Sequence, residues 1–329
     1  MKYYRAMMYA VFVVCLLAGC SVSSPEREPL RVGILVAGDA RLEKAEGMKQ
    51  GLRDLGMQEK EVIYKIYNAK NDIRELTRQA QKLAGENVDV VVGTGVAEGM
   101  ALAQEMKNAT RKPVVLIGVA SPYASEIQSL CQRKGISVAG VENGHIALTP
   151  KRMELLRLAF PHRDQMVVLY DPNVKASEWA LVLAKETANQ QGYAIDTMPV
   201  GEDADIKRLY ERSFTKHESI LILPSHYIEA QTAAIQQLSL QRKVPVMGLN
   251  EAQVKAGYTL SYGVSYEHQG YQAAKLLLRM VGEELRGGIP FEMPDIVALK
   301  INFATVDKIG ESVSKIGMSY GDDVFTGGE

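Results

Sequence analysis

Short apolar runs alternate with amphipathic stretches over most of the chain. Arg31 to Val36 is such a run, and its near-continuous aliphatic character predicts a strand buried on both faces. Glu43 to Leu55 has helical spacing and is closed by Gly56. Glu61 to Tyr67 carries Val62, Tyr64 and Ile66 in strand alternation. Asp72 to Ala84 places Ile73, Leu76, Ala80 and Leu83 on one helical face, with Asp72 at the N-terminus. Val88–Val92 reads as a strand, Val96–Lys107 as a helix, and Pro113–Val119 and Gly135–Val141 as strands. The pattern then restarts. Helices are predicted over Thr149–Phe160, Lys175–Gln191, Asp203–Lys216, Tyr227–Leu240 and Glu267–Val281. Strands are predicted over Gln165–Tyr170, Tyr193–Met198, Ser219–Leu223, Val244–Leu249, Gly257–Val264 and Ile296–Ile301.

Strands alternating with helices predict an α/β fold of parallel sheets covered on both faces. One open sheet of about ten strands would be large. Two sheets of five or six strands each fit better, as two Rossmann-like lobes hinged around a central cleft. The N-terminal lobe is expected over 31–142 plus 265–292 and the C-terminal lobe over 147–262 plus 295–310. A polar tail without a clear element is expected over 311–329.

Parallel sheets bind ligands beyond the carboxyl ends of their strands, so facing lobes put both sets of loops on one cleft. These loops carry Asp39, Arg41, Thr94 and Ser121 in the first lobe, and Tyr170, Ser225, His226, Asn250 and Tyr262 in the second. Glu142 and Tyr266 lie at the passages between lobes. Thr94 and Ser121 stand where helices begin, either holding a carboxylate or phosphate oxygen or simply capping. Arg41 suits two-pronged carboxylate binding, or a solvated helix face. Tyr170, Tyr262 and Tyr266 can wall a planar ligand or pack in the core. His226 is the histidine best placed for a cleft, with capping or a surface role as the alternative.

The N-terminus changes the picture. Lys2 and Arg5 precede an apolar run from Ala6 to Leu17, followed by Leu17-Ala18-Gly19-Cys20. This is the layout of a secretory signal peptide (1–20), and its ending resembles the bacterial lipobox, implying cleavage before Cys20 and lipid on its sulfur. The run is about 12 residues against the ~20 a spanning helix needs; an uncleaved anchor helix is the alternative. Residues 21–30 read as a flexible tether. The expected location is extracytoplasmic, membrane-anchored by lipid at the periplasmic face or cell surface, which excludes most cytosolic enzymes and DNA regulators. The net charge of −1 offers no field for nucleic acid. Of the 3 cysteines, Cys15 leaves with the signal and Cys20 is lipidated, so Cys131 has no partner within the chain. Cys131 reads as a buried structural thiol, with a nucleophile as the alternative.

Other chemistry finds little support. Gly93-Thr94-Gly95-Val96-Ala97-Glu98-Gly99 departs from the spacing of a dinucleotide loop and follows the third strand. Ser312-Val313-Ser314-Lys315 matches Ser-x-x-Lys in the polar tail. No cluster has metal-ligand spacing, and no nucleophile, base and oxyanion set assembles. No catalytic residue, metal or cofactor is expected.

Val32-Gly33-Ile34-Leu35 leads to Gly47-Met48-Lys49-Gln50-Gly51-Leu52. Val91-Val92-Gly93-Thr94-Gly95 and Pro113-Val114-Val115 follow, then Ala139-Gly140-Val141 before Glu154-Leu155-Leu156. Leu223-Pro224 precedes a helix, Pro245-Val246 precedes Glu251 to Gly257, and Gly270 to Gly282 carries Ala273, Ala274 and Leu277. In this order, over nearly all of the mature chain, these segments resemble ABC-transporter substrate-binding proteins of the class I periplasmic type. The branch they resemble includes lipoprotein receptors for tryptophan and tyrosine. The resemblance implies a monomer that traps a small molecule between its lobes and delivers it to a membrane ABC permease. A ligand-sensing receptor feeding a membrane signalling protein, and an extracytoplasmic enzyme on the same scaffold, are the alternatives. Amino-acid-binding members carry an acidic residue before the proline after strand four and another just after the proline matching Pro224. Here stand Ala120-Ser121-Pro122 and Ser225-His226. A closed cleft needs a carboxylate for a ligand ammonium. Glu142, Asp39 or Asp171 can substitute; otherwise the ligand is a different carboxylate-bearing or planar polar solute, such as a purine or an organic acid.

Overall fold

The computed structural model describes residues 28–106, 112–282 and 291–325. The signal segment, Cys20 and most of the tether lie outside the described residues. The first lobe runs β1 (Leu30–Val36), α1 (Leu42–Asp54), β2 (Val62–Asn68), α2 (Ile73–Gly85), β3 (Val90–Gly93), α3 (Val96–Glu105), β4 (Val114–Val119), α4 (Ser121–Arg133) and β5 (Val138–Glu142). Its five strands form a parallel sheet in the order β2-β1-β3-β4-β5. Strand alternation sends Val32, Ile34 and Val36 to one face and Leu35 to the other, so each face has its own aliphatic core. Each fully buried aliphatic side chain contributes about 1.5–3 kcal/mol.

The second lobe runs α5 (Thr149–Ala159), β6 (Gln165–Tyr170), α6 (Lys175–Gln191), β7 (Ala194–Pro199), α7 (Asp203–Glu211), β8 (Glu218–Ile222), α8 (His226–Ala230), α9 (Thr232–Arg242), β9 (Val246–Gly248), α10 (Glu251–Lys255) and β10 (Leu260–Gly263). The chain then returns to the first lobe as α11 (Tyr266–Val281), which packs against α1. Helices α1 and α11 touch backbone to backbone. A Cβ at Gly47 would lie 2.0 Å from the Glu267 carbonyl oxygen, and one at Gly270 1.9 Å from that of Lys44. Glu292 pairs beside Val141 at the edge of the first sheet. The chain crosses back into β11 (Ala298–Asn302), α12 (Phe303–Lys308), α13 (Lys315–Ser319) and β12 (Asp323–Phe325).

The structure departs from the sequence reading in several places. The helix expected over Tyr227–Leu240 is broken at Gln231 into α8 and α9, and the one expected over Asp203–Lys216 ends at Glu211. β11 pairs antiparallel with β10 in a seven-stranded sheet, β12-β11-β10-β9-β8-β6-β7, because it enters from the opposite end after the last crossing. The stretch beyond 310 is no featureless tail: α13 packs on α5 and β12 extends the sheet beside β11. Elements of five and three residues are too short to show periodicity. Helix α4 follows β4 and does begin at Ser121, as expected, but its extent to Arg133 is not legible in the sequence. Its polar residues mask the inward Ala124, Ile127 and Cys131.

Candidate functional site

The carboxyl ends of the first sheet face the second lobe across a cavity of about 540 Å³. The β1–α1 loop and the starts of α2 and α3 line one side. Helix α8 lines the other, and Tyr266 at the start of α11 closes the floor.

Glu98 organises the first wall. It is fully buried near the start of α3 and accepts hydrogen bonds from the Ala37 amide at 2.8 Å, the Thr94 hydroxyl at 2.9 Å and Arg41 Nη1 at 2.6 Å. Burial pushes its pKa up, but the Arg41 charge and backbone N–H bonds outweigh burial and hold it below its ordinary value. Burial also works against the charged Arg41, but Glu98, Tyr266 and Glu229 together more than offset it, so the guanidinium stays ionised.

Arg41 then reaches across the cleft. Its Nη2 lies 3.0 Å from Nδ1 of His226 on α8. A guanidinium only donates, so the imidazole accepts and is neutral in this contact. Burial, then the Arg41 charge, lowers the pKa of His226.

A second lobe-to-lobe network lies beside the first. The Tyr266 hydroxyl donates to Glu229 Oε1 at 2.6 Å. Asn250 Nδ2 donates to the same oxygen and to the Tyr266 hydroxyl, both at 3.3 Å. Burial, then the Glu229 charge, raises the Tyr266 pKa well above its ordinary value, so the phenol remains a donor. Beneath the Tyr266 ring lies Lys44, whose Nζ is 4.5 Å from the ring centre. Nζ donates to the carbonyls of Thr94 at 3.0 Å and Ile117 at 3.4 Å. Burial, then repulsion from Arg41, pushes the Lys44 pKa down to about 7.

The hinge has its own buried cation. Arg152 on α5 is fully buried and donates to the carbonyls of His145 and Tyr262, each at 2.6 Å, and to Leu249 at 3.5 Å. Burial lowers its pKa to about 9, leaving it charged at neutral pH. Burial, then the Arg152 charge, keeps the neighbouring His145 neutral.

Of the residues singled out from sequence, Arg41, His226 and Tyr266 line the cavity together, and buried Asn250 braces Tyr266. Asp39 is exposed at the rim, tied to Lys70 and Asn68. Thr94 is fully buried and holds Glu98 rather than capping α3, whose N-cap is Gly95. Ser121 opens α4 and hydrogen-bonds Glu142, away from the cavity lining. Ser225 caps α8 and donates to Asp171 at 2.6 Å. The rings of Tyr170 and Tyr262 pack on the core of the second lobe. The Cys131 thiol is buried, which raises its pKa to about 11 and keeps it protonated.

Lys44, Glu98, Glu229 and Arg152 escaped the sequence reading. Lys44 and Glu98 do leave a signal, as charges on inward faces otherwise made of Ala45, Met48 and Leu52 or Ala101 and Leu102. Glu229 follows His226 by one helical turn.

Comparison with known proteins matches residues 30–316 to a family model described as ABC transporter substrate binding protein. A tyrosine-binding protein of Clostridioides difficile is 20% identical over 320 residues, covering 93% of this chain and 91% of the relative. A conserved domain protein from Vibrio cholerae superposes with a TM-score of 0.77 at 19% identity, over 90% of this chain and 100% of its own. An ABC domain from Streptococcus pneumonia in complex with L-Trp superposes with a TM-score of 0.76 at 16% identity, over 91% and 100%. These superpositions show the type I periplasmic-binding fold.

Proposed function

This chain belongs to the family of ABC transporter substrate-binding proteins, and from that premise we propose that it traps an amino acid with a largely apolar side chain between its lobes. One observation carries the reading. A cation with unused N–H groups, Arg41, and a carboxylate, Glu229, face the same cavity from opposite lobes. Arg41 would take the ligand carboxylate, and Glu229 with the Tyr266 hydroxyl would take the ammonium. Glu229 thus supplies, one helical turn later, the carboxylate missing at Ser225-His226. Ile73, Leu76, Ala97 and Ala230 form an apolar wall for the side chain, and the volume lies within the usual range of roughly 300–1,000 Å³ for small-molecule sites. The tyrosine-binding relative and the L-Trp complex support the same ligand class.

The family is one of substrate binding rather than turnover. Closure is the output. The Arg41–His226 and Tyr266–Glu229 contacts join the lobes, so a ligand that bridges them biases the hinge toward the closed form. The closed form would dock on a membrane permease, with the chain held at the membrane by lipid on Cys20. Affinity should be micromolar or better, roughly −8 kcal/mol. The test is a thermal-shift screen of the full chain in mild detergent, unfolded and refolded beforehand to remove carried-over ligand. Amino acids, nucleobases, organic acids and sugars form the panel. A ligand at about 100 times its Kd should stabilise the fold by about 2.7 kcal/mol. A shift confined to amino acids supports the reading. A shift only with another class, or with none, rejects it.

A further inference from the structure

We propose that the outward face of α6 pairs with the same face of a second copy of this chain, as two antiparallel helices related by a twofold axis. The pairing is independent of the cleft, since no residue of α6 lines the cavity. It sets a dimer against the monomer that the family resemblance implies.

Helix α6 packs on α5 at one flank and on β6 and the edge strand β7 beneath it. Ala180, Leu181 and Ala184 lie on its buried face. The opposite face carries Lys175, Trp179, Val182 and Glu186, all exposed. Trp179, the only tryptophan of the chain, is 52% exposed and Val182 55%. Single exposed apolar residues are ordinary on a protein surface. Their order on this helix is not.

The four positions are spaced by four, three and four residues. At 3.6 residues per turn they fall within an arc of about 60°, the seam of a coiled coil. Read from either end, the stripe runs charge, apolar, apolar, charge, with opposite signs at its two ends. A twofold axis between positions 180 and 181 therefore seats Trp179 on Val182 of the second copy, and Val182 on its Trp179. Lys175 then meets Glu186 of the second copy at both ends. The flank agrees, because Glu178 comes within one turn of Lys185 of the second copy. A parallel pairing in register would instead oppose lysine to lysine and glutamate to glutamate. Among the described residues none of these four charges has an ion-pair partner within the chain. One helix from each chain makes a smaller contact than the roughly 1,200 Å² of standard interfaces, so the association should be weak in solution.

The full chain in mild detergent tests this through the emission of its only tryptophan. Raising the protein from about 1 to about 100 μM at fixed detergent should bury the indole and shift its emission to shorter wavelength. Lys175→Glu should remove the shift, because it opposes two carboxylates at each end, and Glu186→Lys should remove it by opposing two ammonium groups. An equimolar mixture of the two variants should restore the shift, since both ends then pair opposite charges, and this recovery also shows that both variants are folded. A carbodiimide should join Lys175 to Glu186 in the dimer band of the unaltered chain. The two stand about 16 Å apart along one helix, too far for an amide bond within a chain. Emission equal to that of Lys175→Glu at every concentration, a mixture that fails to restore the shift, a shift that follows detergent rather than protein, or a dimer cross-linked only elsewhere would each overturn the pairing.

Discussion

At His226 a single proton decides whether two lobes share a hydrogen bond. The ring nitrogen accepts from Arg41 only while neutral, and protonation would set two cations 3.0 Å apart. The closed-state pKa is lowered, first by burial and then by Arg41, so the contact is fully available above the ordinary value of 6.5 and weakens as pH falls below it. Ligand affinity should therefore drop as pH falls below 6.5, and His226→Gln, which keeps an acceptor without titrating, should flatten that part of the profile. Equal slopes in both proteins would show that another group governs the effect. Lys44 titrates with a different consequence. Its pKa falls from 10.5 in the unfolded chain to about 7 in the fold, so its charge penalises the folded state fully below pH 7. The penalty fades as pH rises from 7 toward 10.5. Relative to Lys44→Met, the unaltered chain should gain in Tm across that interval. Parallel Tm curves for the two would mean that Lys44 is solvated like a surface lysine.

Between elements, the closest fit is that of α1 on α11. Because Gly270 stands 1.9 Å, measured from an ideal Cβ, from the Lys44 carbonyl oxygen, Gly270→Ala must push the two helix backbones away from each other. Overpacking of this kind costs about 1–3 kcal/mol. Gly85→Ala is the control, since nothing lies within 4 Å of its Cβ. Thermal melts should show Gly270→Ala several degrees lower and Gly85→Ala nearly unchanged; a match between the two would mean that the helices slide apart freely. This packing was not legible in the sequence, although the elements that make it were. β1, α1, β2 and α2 follow directly from runs such as Val32 to Val36 and faces such as Leu76, Ala80 and Leu83, because burial imposes their period. Periodicity does not say which helix meets which. The antiparallel β11 and the short α13 and β12 depend on where the chain re-enters the second lobe, and that is long-range information. The site divides in the same way. Arg41 ends a strand-end loop, and His226 and Tyr266 open the helices that follow such loops, where topology alone nominates them. Glu98 and Lys44 sit inside helices, buried behind the cavity wall, and only the fold shows which groups they hold there.

For the whole molecule, the hinge governs how much of the cleft's binding energy is realised. Arg152 joins the first crossing at His145, the loop after β9 at Leu249 and the end of β10 at Tyr262. Its charge has carbonyl dipoles as partners in these contacts, and burial has already lowered its pKa to about 9. Such a residue holds the crossings at a fixed separation without touching the cavity. Arg152→Met would take its N–H donors from three buried carbonyls, at about 1–3 kcal/mol for each left unpaired, and should lower Tm sharply. Arg152→Lys is the more informative change, because it keeps the charge while a single ammonium cannot span the same three oxygens. If the hinge angle depends on that fork, the ligand-free chain should sample more open forms and its radius of gyration should rise in solution scattering. Apparent affinity should fall in proportion to the lost closure-competent fraction, since apparent Kd is intrinsic Kd divided by that fraction. A tenfold weaker Kd with every cleft side chain intact would identify Arg152 as the residue that positions the lobes. A lower Tm with Kd and radius unchanged would confine it to stabilising the second lobe.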